Sequence, residues 1–228
     1  MYQEWKNLLF LHWEVSPSQI AETLPEGLHV DSHEGSAYLG LVPFYMRRIR
    51  PRFLPSVGPI SNFLEMNVRT YVHDDSGRPG VWFYSLDANQ PLAVHLARTF
   101  FHLPYFHASM NASESEDGIH YQCHRRDTPN GERSRFIYEG AGALDAPQPG
   151  SLEYFLLERY YLFALHEGRN ELFCGQVHHT PYPAERADLS ASSSPALEQA
   201  GFSLDSEKPD LAHFSPGVRV SVYPIFSL

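Results

Sequence analysis

Between residues 63 and 72, apolar side chains alternate with a second set of side chains at a period of two. This alternation predicts a β-strand, because successive side chains of a strand point to opposite faces of its sheet. The second set places an acid, an amide and a guanidinium between two aromatic rings: Phe63, Glu65, Asn67, Arg69 and Tyr71. Such a row suits a polar binding pocket. It also suits a solvated sheet face, on which an ion pair contributes little to stability, and the pattern alone leaves both interpretations open.

Two proline-containing segments carry the signals of helix starts. Ser16 before Pro17 predicts an N-cap with proline in the first helical position, and the Pro-Glu-Gly sequence at 25–27 ends that short helix. Asn89 before Pro91 predicts a second, amphipathic helix. Its apolar stripe consists of Leu92, Leu96 and Phe100, flanked by Ala93, Ala97 and Phe101.

The rest of the chain is punctuated by turn residues between short apolar runs. Residues 27–44 are predicted to form a hairpin that turns near Glu34 and Gly35, and residues 81–87 are predicted to pair with the strand at 63–72. Further strands are predicted at 107–113, 119–125, 133–138, 161–166, 171–178 and 218–223, further helices at 151–160 and 195–200, and a loop at 190–194. Many short strands with few helices predict a β-rich α+β barrel or sandwich, and the length of 228 residues favours one domain, 1–228.

The charge of the chain argues against nucleic acid as a partner. The formal net charge is -10, from 27 acidic and 17 basic residues, and this charge repels phosphate backbones. The densest basic run, residues 47–52, is too short to reverse that repulsion. We interpret it as a solvated loop or as a cover over an acidic patch, and an anion site remains the alternative.

The two cysteines predict that the protein resides in a reducing compartment, and the hydropathy of the chain predicts that it does not insert into a membrane. Cys123 and Cys174 are too few for a disulfide framework, and their most ordinary role is that of small core residues. The N-terminus has no basic signal region, and no uninterrupted apolar stretch approaches the roughly 18 residues of a membrane-spanning helix. We therefore expect a cytoplasmic protein with no membrane partner.

The candidate chemistry is narrow. Thirteen histidines lack metal-ligand spacing, so we expect neither a metal nor a cofactor, and His12 and His178 are the histidines best placed for a pocket. The chain also has no GxSxG nucleophile motif. Its lysines, Lys6 and Lys208, lie near the two ends in polar surroundings, whereas imine chemistry requires a desolvated lysine. Imine formation is therefore not expected.

A series of short segments resembles the YqjF-like family of uncharacterised bacterial proteins. The resemblance covers nearly the whole chain and rests on Leu11-His12-Trp13, Leu24-Pro25-Glu26-Gly27-Leu28, Gly40-Leu41-Val42-Pro43-Phe44, the strand at 63–72, Ser85-Leu86-Asp87-Ala88, Ala97-Arg98, Leu103-Pro104-Tyr105, Glu158-Arg159-Tyr160 and Ser215-Pro216-Gly217-Val218. That family looks related to acetoacetate decarboxylase. The resemblance implies a cone-shaped barrel of mostly antiparallel strands with helices packed outside and a largely buried site.

The resemblance also implies roles for particular residues. Glu65 is similar in setting to a glutamate of the decarboxylase site, and Tyr105 looks to occupy the position of the Schiff-base lysine. A phenol at that position can exchange hydrogen bonds or act as an acid or base. Glu65 and Tyr105 are thus the predicted catalytic residues. The predicted ligand-binding residues are Asn67, Arg69, Tyr71, Arg98, Ser85, Asp87, His12 and His178.

These features together favour a small-molecule-binding protein. The first hypothesis is a lyase or hydrolase that acts on a small carboxylate or carbonyl compound without a Schiff-base lysine. The second is a ligand-sensing or assembly module without catalysis, in which the polar row ties the barrel together. A homodimer is a further expectation, from the aromatic content of 14%. A cavity lined by Glu65, Arg69 and Tyr105 would favour ligand binding, and a direct Glu65–Arg69 pair with no void would favour a structural role.

Overall fold

The computed structural model describes residues 1–126, 128, 133–204 and 206–228, with the side chain of Pro59 excepted. The strands are β1 (Tyr2–Val15), β2 (Leu28–Val30), β3 (Ala37–Arg50), β4 (Phe63–Asp74), β5 (Pro79–Ala88), β6 (Tyr105–Ser115), β7 (Gly118–Arg125), β8 (Ser134–Ala143), β9 (Tyr161–His166), β10 (Glu171–His178), β11 (Glu185–Ser193), β12 (Leu211–Val222) and β13 (Phe226–Ser227). The helices are α1 (Pro17–Ala21), α2 (Gly58–Ser61), α3 (Pro91–Phe101), α4 (Leu152–Leu157) and α5 (Ala196–Gln199). None of these helices has the length and hydropathy needed to cross a membrane.

The strands form one sheet that closes on itself twice. The first ring runs β5-β9-β10-β12-β1-β3-β4 and returns to β5. The second ring runs β5-β6-β7-β8-β11-β12-β1-β3-β4 and also returns to β5. Strands β12, β1, β3, β4 and β5 therefore belong to both rings and separate two hydrophobic cores. Along β1, for example, Leu8 and Phe10 pack in one core, whereas Leu9 and Leu11 pack in the other.

Strand β4 is buried on both faces because it belongs to both rings. Every residue from 63 to 72 is buried. Leu64, Met66 and Val68 pack in the second core, and the row that contains Glu65 and Arg69 faces the interior of the first ring. The strand and its alternation are confirmed, and the solvated-face interpretation is wrong.

Several local predictions are confirmed. Ser16 caps α1 with its side chain, and Gln19 completes a capping box with the Ser16 backbone. Strands β4 and β5 pair antiparallel across the predicted turn after Asp74. The β-rich class with few helices is also confirmed.

The predicted hairpin over 27–44 is wrong. The turn at Glu34 and Gly35 exists, and both residues have positive φ angles of 50° and 88°. However, β2 pairs with β4, and β3 pairs with β1 and β4. The loop predicted at 190–194 is also corrected, because β11 extends to Ser193 and pairs with β8. In both segments the structure is determined by pairing between strands that are far apart in the sequence. Local turn residues carry no information about such pairing.

Helix α3 forms where the sequence predicts it, but its orientation differs from an ordinary amphipathic helix. The Gln90 side chain, and not that of Asn89, accepts the capping hydrogen bond from the Leu92 backbone. The predicted stripe faces solvent: Leu92 is 44% exposed, Leu96 42% and Phe100 63%. Val94 is the buried residue of the helix, and the flanking alanines are half-buried. Apolar surface on α3 therefore remains uncovered.

An ion pair lies inside the second ring. Arg125 donates from Nε to Asp87 Oδ1 at 2.7 Å and from Nη2 to Asp87 Oδ2 at 3.0 Å, and its guanidinium lies 4.0 Å from the centre of the Phe106 ring. Burial raises the pKa of Asp87, and the hydrogen bonds from Arg125 oppose that rise. The buried Asp87 carboxylate is thus stabilised by its hydrogen bonds with Arg125, and each side chain needs the other as its charged partner.

We expect Arg125→Met to lower the free energy of unfolding by about 3–5 kcal/mol, because the substitution leaves the buried Asp87 carboxylate without its partner. Urea unfolding followed by circular dichroism measures the change. Arg126→Met is the matched control at a neighbouring exposed position and should change stability by less than about 0.5 kcal/mol. Equal effects of the two substitutions would contradict a structural role for the pair.

Candidate functional site

A cavity of about 450 Å³ lies inside the first ring, within the range of known small-molecule sites. Four of the predicted site residues line it: Glu65, Asn67, Arg69 and Tyr105. The first three come from β4, and Tyr105 is the first residue of β6. The structure thus brings both predicted catalytic residues into one cavity wall.

Glu65 and Tyr105 are hydrogen-bonded to each other. Tyr105 donates its hydroxyl to Glu65 Oε2 at 2.8 Å, and both side chains are buried. The backbone of Glu65 is held by Tyr121, which donates to the Glu65 carbonyl at 2.8 Å from the second core. The two rings therefore fix the acid from both sides of the sheet.

Burial makes Glu65 a carboxyl group that can change its protonation near neutral pH. Loss of solvation raises the pKa of Glu65 to about 7, and hydrogen bonds from Tyr105 and Asn67 oppose the rise. Burial and the neighbouring carboxyl group raise the pKa of Tyr105 well above its ordinary value. Tyr105 is thus a neutral phenol at neutral pH, and Glu65 is the group of the pair that can accept or release a proton.

Arg69 is buried without an acidic partner among the described residues. Its Nη2 atom donates to the Leu156 carbonyl at 3.3 Å and to the Tyr71 hydroxyl at 3.4 Å. Gly40 on the neighbouring strand makes room for it, because a Cβ there would lie 3.3 Å from Arg69 Cγ. Glu65 and Arg69 form no ion pair with each other. A buried guanidinium without a carboxylate is costly, and an anion in the cavity would offset that cost.

Two polar atoms of this wall have no hydrogen-bond partner. They are Arg69 Nε, a donor, and Asn67 Oδ1, an acceptor, and both are buried. More than nine in ten buried polar groups in proteins have a partner, so unpaired ones at a cavity call for an explanation. Both residues line the cavity, so a bound anion that contacts the Arg69 guanidinium would supply the charged partner that no described acid supplies.

Tyr71 and His12 form a layer behind Arg69. The Tyr71 hydroxyl donates to the Leu156 carbonyl at 2.9 Å, and His12 Nε2 lies 2.7 Å from the same hydroxyl. Burial and the positive charge of Arg69 lower the pKa of His12 well below its ordinary value, so its ring is neutral. Neither residue is part of the cavity wall, and together they position Arg69.

The structure places six of the ten predicted site residues outside the cavity wall: Tyr71 and His12, described above, and four others, whose roles stay predictions. An irregularity in the β4–β5 pairing, next to Arg69, turns both Phe83 and Leu86 toward the cavity. As a result, Ser85 and Asp87 are buried on the other face of β5. Arg98 is exposed on α3, and His178 is exposed at the end of β10. Arg98 retains an indirect link, because its Nε donates to the Tyr105 carbonyl at 2.6 Å.

Arg159 and Tyr182 are among the residues of the wall that were not predicted from the sequence. Arg159 pairs with Asp31 at 2.5 Å and stacks on Phe155, and the Tyr182 backbone donates to the buried carboxylate of Glu158 at 2.9 Å. Arg159 belongs to one of the segments that carry the family resemblance, which was the available signal. Both residues lie outside helices and strands, where no periodicity marks them.

No group of three or more His, Cys, Asp or Glu side chains lies close enough to hold a metal ion within the part of the chain that the structure describes. His12 and His213 approach each other, with ring centres 6.2 Å apart, and burial lowers the pKa of each.

Residues 2–219 match the DUF2071 family, which is described as an uncharacterized conserved protein. The chain belongs to this family. It is 36% identical over 227 residues to the uncharacterized protein YqjF of Bacillus subtilis (strain 168), and the match covers 99% of this chain and 91% of that protein. The family resemblance drawn from the sequence is thereby confirmed.

Solved structures of enzymes share the fold. Acetoacetate decarboxylase from Legionella pneumophila superposes with a TM-score of 0.68 at 13% identity, over 100% of this chain and 86% of that one. An acetoacetate decarboxylase-like enzyme from Sphingomonas wittichii has a TM-score of 0.62 at 17% identity, over 100% and 92%. The enduracididine biosynthesis enzyme MppR complexed with pyruvate has a TM-score of 0.65 at 12% identity, over 99% and 89%. At these identities the likeness shows the fold alone.

We expect the carboxyl group of Glu65 to make stability fall as the pH rises. Its pKa is 4.5 ordinarily and about 7 in the folded chain, so the folded state holds a proton that the unfolded chain has released between those values. Between pH 5 and 8 the wild type should therefore lose roughly 2–3 kcal/mol more than Glu65→Gln, which has no proton to release. Urea unfolding of both proteins across this range measures the difference.

The control for this measurement is Glu116→Gln, at an exposed turn, which should follow the wild type. Infrared spectroscopy of the carboxyl band gives the protonation of Glu65 directly. A pH dependence that is the same in Glu65→Gln and wild type would show that Glu65 ionises at an ordinary pH.

Proposed function

We propose that the protein binds a small organic carboxylate in the cavity, with Arg69 holding the anionic group. The observation that carries the proposal is the buried guanidinium itself, with its Nε unpaired and no acidic partner among the described residues. An arginine offers a planar fork of donors that matches a carboxylate, and such a pair is stronger in a buried site than in water. The alternative of a direct Glu65–Arg69 tie inside a void-free barrel has no support from this geometry.

We further propose that Glu65 exchanges a proton with the bound compound and that Tyr105 steadies it. A carboxyl group with a pKa of about 7 is suited to act as either acid or base at neutral pH. The reaction class is that of a lyase or hydrolase acting on a carboxylate with a carbonyl group. The MppR complex with pyruvate supports this substrate class by likeness of fold, because pyruvate is a carboxylate with an adjacent carbonyl.

A ligand sensor or carrier without catalysis is the second candidate. The described wall of the cavity contains no lysine, serine, cysteine or histidine, so a Schiff-base amine, hydroxyl, thiol or imidazole nucleophile from these residue types would have to come from elsewhere. Incubation of the protein with a mixture of oxo and hydroxy carboxylates, followed by proton NMR, distinguishes the two. Turnover that Glu65→Gln abolishes favours the enzyme, and binding with unchanged spectra favours the sensor. The homodimer and the cytoplasmic location stay predictions.

We expect Arg69→Lys to weaken the binding of small carboxylates such as pyruvate by at least about tenfold, because an ammonium group cannot reproduce the fork. Thermal melting with and without pyruvate, and calorimetric titration, measure the loss. Arg125→Lys is the matched control, since it alters a buried arginine outside the cavity. It should lower the melting temperature and leave the ligand response intact. A lower melting temperature of Arg69→Lys with an unchanged response would contradict the binding role.

We expect borohydride treatment with acetoacetate or pyruvate to trap no covalent adduct. Lys6 and Lys208 are both exposed and lie outside the cavity wall, where nothing desolvates an amine for imine formation. Intact-mass spectrometry after reduction is the measurement. An adduct on either lysine would contradict this expectation.

A further inference from the structure

The cavity is apolar away from the polar row. Its wall beyond Arg69 is built from aliphatic and aromatic side chains of several strands, among them Leu8, Phe10, Val42, Phe44, Phe83 and Val177. A small carboxylate placed at Arg69 would cover only the nearest of these. The rest would face water, which is unfavourable in proportion to the apolar area.

The volume of the cavity also exceeds what a small acid fills. About 450 Å³ corresponds to roughly 15 water-sized volumes of about 30 Å³ each, of which a three-carbon oxo acid would take roughly six. Room for a chain of roughly nine further heavy atoms remains. This space lies beside apolar side chains, so a polar extension would find few hydrogen-bond partners there.

Helix α3 continues the apolar wall to the surface. Ala93 and Ala97, one turn apart, line the cavity, and their small side chains keep it open. At the mouth, Leu96 and Phe100 on α3 and Ile60 on α2 also line it, although they are 42%, 63% and 42% exposed. A continuous apolar path therefore leads from Arg69 to solvent, and its outer end is uncovered.

We propose that the natural ligand is an amphipathic carboxylate whose apolar tail of about six to ten carbons runs from Arg69 to the mouth beneath α3. The proposal rests on the proposed function, because the carboxylate end is the group that Arg69 binds. The tail covers the apolar wall and the exposed side chains of the mouth, so Leu96 and Phe100 of the outward-facing stripe gain an apolar partner.

The test is a calorimetric series of straight-chain carboxylates from acetate through butyrate, hexanoate and octanoate to decanoate, each below its micelle concentration. Each added methylene should tighten binding about threefold to fourfold until the tail reaches the mouth. Arg69→Lys should weaken every member by a similar factor and leave the dependence on chain length unchanged. Octanol, which has the tail without the carboxylate, should bind more weakly than octanoate to the wild type.

Two variants of α3 locate the tail. Ala97→Phe fills the path, so octanoate and decanoate should lose at least tenfold in affinity while acetate and butyrate are unaffected. Leu92→Phe, on the same helix but outside the cavity wall, is the control and should leave the whole series unchanged. A gain with chain length that Ala97→Phe does not reduce would overturn the proposed path.

The outcomes separate this inference from the proposed function. Short carboxylates that bind through Arg69 with no gain from added methylenes would overturn the amphipathic ligand and leave the proposed function standing. A series in which no member binds at all would overturn both. Binding of octanol as tight as that of octanoate would overturn the carboxylate role of Arg69.

Discussion

The structure depends on one constraint, the burial of β4 on both faces. This strand is shared by two closed rings, so neither of its faces can reach bulk water. On one side Leu64, Met66 and Val68 complete a core that needs no solvent. On the other side Glu65 and Arg69 are carried into the first ring as polar groups, and the cavity around them is the consequence.

Burial in that ring determines what these two groups can do. When Glu65 holds a proton, it avoids the free-energy cost of a buried charge. Tyr105 donates a hydrogen bond to one of its carboxyl oxygens. Arg69 cannot lose its charge, so it is held by carbonyl and hydroxyl oxygens and retains one unpaired donor. At pH values below about 7 the site is thus neutral at the acid and positive at the arginine, which is the arrangement that attracts an anion.

The features that could be predicted from the sequence are those encoded by residues close together in the chain. Period-two alternation placed Glu65 and Arg69 on one face, and turn residues marked α1 and the β4–β5 pair. The sequence did not predict β1 (Tyr2–Val15), in which the unbroken burial of residues 8–13 removes the alternation, nor the pairing of β2 with β4. The bulge that turns Ser85 away from the cavity depends on strand register, and Arg159 enters from an irregular segment. The outward face of α3 follows from the open cavity beneath the helix, which no local pattern reports.

A crystal structure of the protein with octanoate shows whether Arg69 binds the carboxylate group of the ligand. We expect one carboxylate oxygen within about 3 Å of a guanidinium nitrogen of Arg69. We also expect the chain to lie along the apolar wall between Phe10 and Ala97, with the Tyr105–Glu65 hydrogen bond retained. A carboxylate group bound elsewhere, or Glu65 turned into a direct ion pair with Arg69 and the cavity collapsed, would contradict the binding role of Arg69.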